Sequence, residues 1–368
     1  MHFAPRTLPF LALLLVACAE QHDRTDPDAA TAPDAATSDA STADVVVPPA
    51  CPCAADQACV RGVCVASCGA DLSTLDADLG EGRVPVAHLC FAPAEGPLAA
   101  RLEPTGELTL MQASLEQVAP SSFLVDLRES RAALDTGRIE ESRRCGRRYT
   151  TTSEATAQLG ARLGLTPEGR LPHFALSARG ETSSAFVDGM VFVVDDECTV
   201  HGYPHVGAHD ATLLSESLDE PLAYALPFEG NGLWRGETQL YPTGTLGSVV
   251  RWGDAHVLAP TISGHGAVVM SLFDIAELRA GTGARPRSSE ITEWPLDFVA
   301  IEGLGIVGRP ITGADGDHLL YEIRTDDPNA LPYIEPTRFA SARFTQVAPV
   351  TGTSWAVLAH EGGLLVVR

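Results

Sequence analysis

The chain has 368 residues, 45% of them hydrophobic, and a formal net charge of −23 at pH 7. That charge argues against nucleic acid as a partner, which would be repelled unless a local basic patch intervened. All 25 basic residues are Arg, so Schiff-base catalysis by Lys and a Walker-type phosphate loop are excluded as well.

Met1 to Arg6 is a short, positively charged start, and Leu8 to Ala17 is an apolar run too short to span a bilayer. It reads as a signal peptide. Its last residues, Leu15-Val16-Ala17-Cys18, resemble the lipobox of bacterial lipoproteins. The resemblance implies that Cys18 becomes the first mature residue and carries the lipid, so that the partner at this end is a membrane. The first acid behind Cys18 is Glu20, not the Asp that usually marks inner-membrane retention in that family. The expectation is therefore the outer membrane of a Gram-negative bacterium, with the face left open.

Residues 1–18 are thus signal and lipobox, and 19–50 are a tether. The tether is Ala, Asp, Thr, Ser and Pro, with Pro27-Asp28-Ala29-Ala30-Thr31 nearly repeated as Pro33-Asp34-Ala35-Ala36-Thr37. Nothing in it can bury a core, and its acids repel one another, so it is expected to be a disordered, extended spacer.

Cys51, Cys53, Cys59, Cys64 and Cys68 then crowd together, with Cys90 further on. So short a segment of an exported chain is held by disulfides, and 51–90 is expected to be a small disulfide-rich module. Its spacing resembles cysteine-rich modules of secreted proteins. Connectivity stays open, and zinc is the competing use of the thiols. Two cysteines remain. Cys145 lies within Arg143-Arg144-Cys145-Gly146-Arg147-Arg148, and Cys198 follows Asp195-Asp196-Glu197. Opposite charges on the two flanks predict a Cys145–Cys198 disulfide that draws the clusters together.

From 91 to 368 short apolar runs alternate with Gly, Pro and Asp turns, which is strand-and-turn punctuation. Val118-Ala119-Pro120, Leu258-Ala259-Pro260 and Val347-Ala348-Pro349 place similar tripeptides 140 and 89 residues apart. Those intervals suggest a unit of about 45 residues, the length of a four-stranded propeller blade. The fold class is therefore all-β and β-propeller-like, with about six blades, or seven if Leu72 to Cys90 adds a strand. Tandem β-sandwiches are the rival. One helix is expected as an insertion, opening at Ser153-Glu154, with Leu159 and Leu163 on one face and ending at Gly164.

Candidate chemistry is sparse. Gly303-Leu304-Gly305-Ile306-Val307-Gly308 matches the dinucleotide pattern, but Arg309-Pro310 and the glycines beyond cannot make the helix that would face a pyrophosphate. A turn between strands is the better reading. His201, His205 and His209 with Asp210 are the densest candidate ligands for a divalent metal, and Asp195, Asp196 and Glu197 lie near enough in sequence to complete a site. Solvated loop histidines are the competing account. Asp315 and Asp317 are a turn before they are a calcium loop. Neither GxSxG nor HExxH occurs, and Ser263-Gly264-His265 puts a serine beside a histidine without orienting either. Trp234, Trp252, Trp294 and Trp355 are expected as packing residues.

No residue demands catalysis, which favours a lipid-anchored envelope protein whose propeller-like domain binds a protein or ligand, without a cofactor. The alternative is an exported metal-assisted hydrolase or lyase working near His201, His205 and His209. A third option is a passive structural component of the envelope.

Overall fold

The computed structural model describes residues 51–368 apart from 93–95, 167–168, 181–185, 205–209, 215–217, 219–222, 227–231, 236–237, 242–248, 263–267, 282–284, 291–294, 311–315 and 324–335. Cys18 and the tether therefore lie outside the described residues. No described helix is long and apolar enough to cross a membrane. Pro48–Arg368 is one compact unit.

It begins with a hairpin, β1 (Gln57–Val60) and β2 (Val63–Ala66), then a helical turn, α1 (Leu75–Asp78), and a separate strand, β3 (Pro85–Leu89). Next come β4 (Leu98–Leu102), β5 (Leu108–Ala119), β6 (Ser122–Ala132) and β7 (Ile139–Thr150), paired in sequence order. The same up-and-down order recurs in β8 (Ala155–Gly164), β9 (His173–Gly180), β10 (Phe186–Val194) and β11 (Val200–Pro204). It recurs again in β12 (Asp210–Thr212), β13 (Ala223–Leu226), β14 (Gly232–Arg235) and β15 (Thr238–Tyr241). A further sheet holds β16 (Val250–Trp252), β17 (His256–Ile262), β18 (Val268–Asp274) and β19 (Arg287–Glu290), with α2 (Ile275–Ala280) between its last two strands. β20 (Pro295–Ile301), β21 (Gly305–Pro310), β22 (His318–Tyr321) and β23 (Thr337–Ala340) follow. The chain ends in β24 (Gln346–Thr351), β25 (Ala356–His360) and β26 (Gly363–Val367).

This last group has three strands of its own, and β3 supplies a fourth by pairing Leu89 with Leu364, His88 with Leu365 and Ala87 with Val366. β24 in turn lies parallel to β4, with Val350 opposite Ala100 and Thr351 opposite Arg101. First strands of successive groups touch in the order β4, β8, β12, β16, β20, β24, and β24 returns to β4. The result is an all-β, propeller-like ring of sheets about one axis, not a pair of sandwiches.

Burial follows from that layout. β25 and β26 are buried at every residue, as strands covered on both faces must be, and their sequences are unbroken apolar runs rather than alternating ones. β7 lies at the outer edge of its sheet and exposes most of its residues, with Cys145 and Tyr149 buried. Val60 and Val65 of the N-terminal hairpin share a core with Phe339, Phe344 and Leu365, so the cysteine-rich stretch packs on the ring.

Two expectations need correction. The expected helix from Ser153 to Gly164 is a strand, β8. Leucines four apart satisfy a period of 2 as well as one of 3.6, so Leu159 and Leu163 could not discriminate. The repeated Ala-Pro tripeptides also do not mark equivalent places: Pro120 lies just past the end of β5, Pro260 is inside a second strand and Pro349 inside a first strand.

Candidate functional site

The ring of first strands encloses a cavity of about 320 Å3, walled by residues of β4, β8, β12, β16, β20 and β24. Its walls are largely apolar, through Leu98, Leu163, Val250, Val299, Val347 and Val350, and a few polar groups converge on it: Arg162, His173, Asp210, Arg251 and Glu302. An apolar enclosure with few, fixed polar groups is the usual form of a small-molecule site.

Arg162 reaches the axis because β8 is bulged. Its register against β9 steps from Leu159 opposite Leu176 to Leu163 opposite Phe174, so β8 spends two extra residues in the interval that holds Gly160, Ala161 and Arg162. A bulge re-aims the side chains it contains. From there the guanidinium crosses the axis, donating to the carbonyls of Phe298 and Val249 and pairing with the Asp210 carboxylate. It also lies 5.6 Å from the centre of the Phe298 ring. Both partners of the ion pair are about nine-tenths buried. Asp210 is held further by two amides: its Oδ1 accepts from Ala211 at 2.8 Å, and its Oδ2, which faces Arg162, also accepts from Val249 at 2.7 Å. Several hydrogen bonds on each ion are what make a buried pair tolerable.

His173 stands in the same wall, fully buried. Its Nδ1 donates to the Leu171 carbonyl at 3.3 Å, which leaves Nε2 as the acceptor of a neutral ring. Burial, with Arg162 and Arg251 adding repulsion, pushes its pKa down to about 4. Gly164 makes room for it, since a Cβ there would sit 2.2 Å from His173 Nε2. At one end Arg251 is fixed by the carbonyls of Gly253 and Asp254, each at 3.0 Å, next to the half-buried Trp252. The site thus offers a neutral imidazole, a balanced ion pair and one aromatic edge, with Arg251, Asp254 and Glu302 as further charges of both signs in its lining.

The residues singled out by sequence are placed as follows. His201 Nε2 meets Asp195 Oδ2 at 2.7 Å, and that bond, with amides from Thr199 and Glu197, holds the Asp195 carboxyl below its usual pKa. Asp210 belongs to the axial ion pair. His205, His209, Ser263, His265 and Asp315 lie outside the described residues. Asp317 pairs with Arg338 at 3.0 Å. Among the described residues one group of three or more potential metal ligands comes together, Cys51, Cys53 and Cys64. Their sulfurs are in disulfides, Cys51–Cys59 and Cys53–Cys64, and a third joins Cys68 to Cys90.

Cys145 is bonded to Cys198. The flanking charges do not meet as expected, however: Arg143 donates to the Asp196 carbonyl and pairs with Glu129, while Arg144 pairs with Asp126. Both arginines take their carboxylates from the neighbouring strand β6. The glycine run at 303–308 is the end of the tight turn between β20 and β21, where Gly303 has φ +73°, followed by the first residues of β21. Trp252 lines the axial cavity and Trp355 packs on the core, while the side chains of Trp234 and Trp294 lie outside the described set.

Sequence reasoning passed over Arg162 and His173. The signal was an Arg in Gly160-Ala161-Arg162-Leu163-Gly164, a charge with Gly160, Ala161 and Gly164 near it, small enough to let other side chains approach.

No known family's sequence profile matches this chain, and no curated protein does. Solved structures resemble it distantly. A Synechocystis ACO variant has 12% identity and a TM-score of 0.35, over 63% of this chain and 57% of that one. Cobalt-substituted Synechocystis ACO has 13% identity and a TM-score of 0.37, over 80% of this chain and 67% of that one. A chain of the Mitotic Checkpoint Complex has 10% identity and a TM-score of 0.38, over 78% of this chain and 94% of that one. The first two are apocarotenoid oxygenases. The chain spans 57% of the Synechocystis ACO variant and 64% of an ACO/RPE65 chimera, and similarity at these scores carries nothing about activity.

Proposed function

We propose that this is a lipid-anchored envelope protein whose six-bladed propeller-like domain binds a small ligand in its axial cavity. The observation that carries the reading is the cavity itself, walled by all six first strands and lined by the Arg162–Asp210 pair. Six blades follow if each first strand opens one four-stranded unit, β3 completing the last. The lipobox resemblance at Cys18 supports the anchor, and the acidic tether supports a domain held away from the lipid surface. A thermal-shift screen of small polar-apolar compounds against the full chain and Ala300→Trp, which fills the cavity from β20, tests the reading. Ligands that raise the wild-type Tm and not the variant's are expected; finding no compound whose effect is lost in Ala300→Trp contradicts it.

One observation favours a second reading, the metal-assisted hydrolase or lyase. Asp195 holding His201 Nε2 is the arrangement that orients an imidazole for a metal at its other nitrogen. Metal content of the natively exported protein, beside a variant with His201, His205 and His209 changed to Ala, decides it. One metal per chain that vanishes in the variant would move this reading ahead.

A further inference from the structure

A second cavity adjoins the first, nearer the ends at which β4, β8 and β24 begin, and reaches outward to residues of β5, β21, β22 and β25. Residues 157–162 of β8 line it, whereas 162–166 line the axial cavity; Gly96 and Pro97 line it, whereas Leu98 and Ala99 line the other. The two follow one another along the strands, with Arg162 in the wall of both. Its volume is about 700 Å3.

Its charge is one-sided. In a chain with net charge −23, the charged residues among the described ones in this lining are Arg162 and Arg309, with no described Asp or Glu among them. Asp210 balances Arg162 from the axial side. Arg309 has no carboxylate partner among the described residues. Its Nη2 donates to the carbonyls of Phe344 at 2.9 Å and Thr345 at 3.1 Å, and its buried Nε has no acceptor. A guanidinium is always charged, presents five donors in a rigid fork and is matched best by a carboxylate. His318 beside it, whose Nε2 donates to the Phe344 carbonyl at 2.7 Å, is neutral because burial pushes its pKa down to about 4. The rest of the lining is chiefly apolar, with Gln158 and Gln346 as uncharged polar groups.

We infer that this cavity is a second binding site, for a small organic anion whose carboxylate faces Arg309 while an apolar body lies on Leu115, Leu159, Val307 and Val347. It goes beyond the axial reading, since the axial cavity has a balanced ion pair and a mixed-charge mouth, and neither site needs the other to be occupied.

The test is isothermal titration of the full chain with 2-naphthoate and its neutral counterpart 2-naphthamide. Saturable naphthoate binding is expected, with the amide weaker by roughly tenfold or more, the loss of one charge-assisted contact. Arg309→Gln should weaken naphthoate to the level of the amide. Arg309 also ties down two carbonyls, so Gln158→Glu serves as the second variant: it is exposed, nearly isosteric, and adds a carboxylate to the lining. It should weaken naphthoate and leave the amide unchanged. Ala300→Trp, in the axial cavity, should leave naphthoate unchanged. Absence of naphthoate binding, equal affinity for acid and amide, binding unmoved by both Arg309→Gln and Gln158→Glu, or loss in Ala300→Trp would each overturn the inference.

Discussion

The axial ion pair is buried with hydrogen bonds on both of its partners. Asp210 neutralises Arg162 and accepts two amides. Asp210→Ala leaves a buried guanidinium without its counter-charge, and urea unfolding should show a loss of about 3–5 kcal/mol. The double variant Arg162→Met/Asp210→Leu, which removes both charges, should cost less than Asp210→Ala alone; an equal or larger cost would mean the pair is not the buried unit described.

The histidines give a pH dependence with a definite sign. Burial pushes the pKa values of His173, His318 and His360 down to about 4, against about 6.5 in an unfolded chain. Between those values the unfolded state binds more protons, so stability should fall as pH drops from 6.5 towards 4 and lose nothing further from these groups below that. Urea midpoints at pH 7 and pH 5 measure it, and a midpoint unchanged or higher at pH 5 would contradict the burial of these rings. His88 and His360 show why protonation is resisted. His88 Nδ1 donates to the Ala66 carbonyl at 2.7 Å, His360 Nε2 donates to His88 Nε2 at 3.0 Å, and His360 Nδ1 accepts from the Gly362 amide at 3.2 Å. Each ring nitrogen already has its role. Little of this was legible beforehand: charge around Cys145 and Cys198 pointed to their bond, but Arg162 lay in a stretch whose spacing fitted helix and strand alike.

At the scale of elements, closure of the ring depends on β3. It is separated from its partner β26 by every other sheet of the ring and is fixed beside Cys90, which is bonded to Cys68. Removing that bond frees the loop before β3. Cys68→Ser/Cys90→Ser should cost about 2–4 kcal/mol, and amide exchange should quicken in β26, at Leu364 to Val366, before it does in β9 or β17. Uniform exchange across all sheets would mean that β3 does not hold the ring shut. Strand content was legible from apolar runs and turn residues, because each run is short and bounded. Pairing was not: the stretch 51–90 reads as cysteine spacing, and nothing local in Pro85–Leu89 says that its partner is the C-terminal strand. The unit length was blurred for a similar reason. First strands begin at residues 98, 155, 210, 250, 295 and 346, so the intervals are 57, 55, 40, 45 and 51, too uneven for a fixed period to show.

For the molecule as a whole the proposal joins an anchor, a spacer and a ring. Cys18→Ser should abolish incorporation of labelled palmitate and release the protein from the membrane fraction, with the fold from Pro48 to Arg368 unchanged by circular dichroism. Labelling that persists in the variant would end the lipoprotein reading. The central claim is that the axis of the ring holds a ligand, and native mass spectrometry of protein taken directly from membranes tests it most directly. The account predicts a small molecule that travels with the wild-type chain and is missing from Ala300→Trp. The same mass for both chains, after allowing for the substitution, would contradict it.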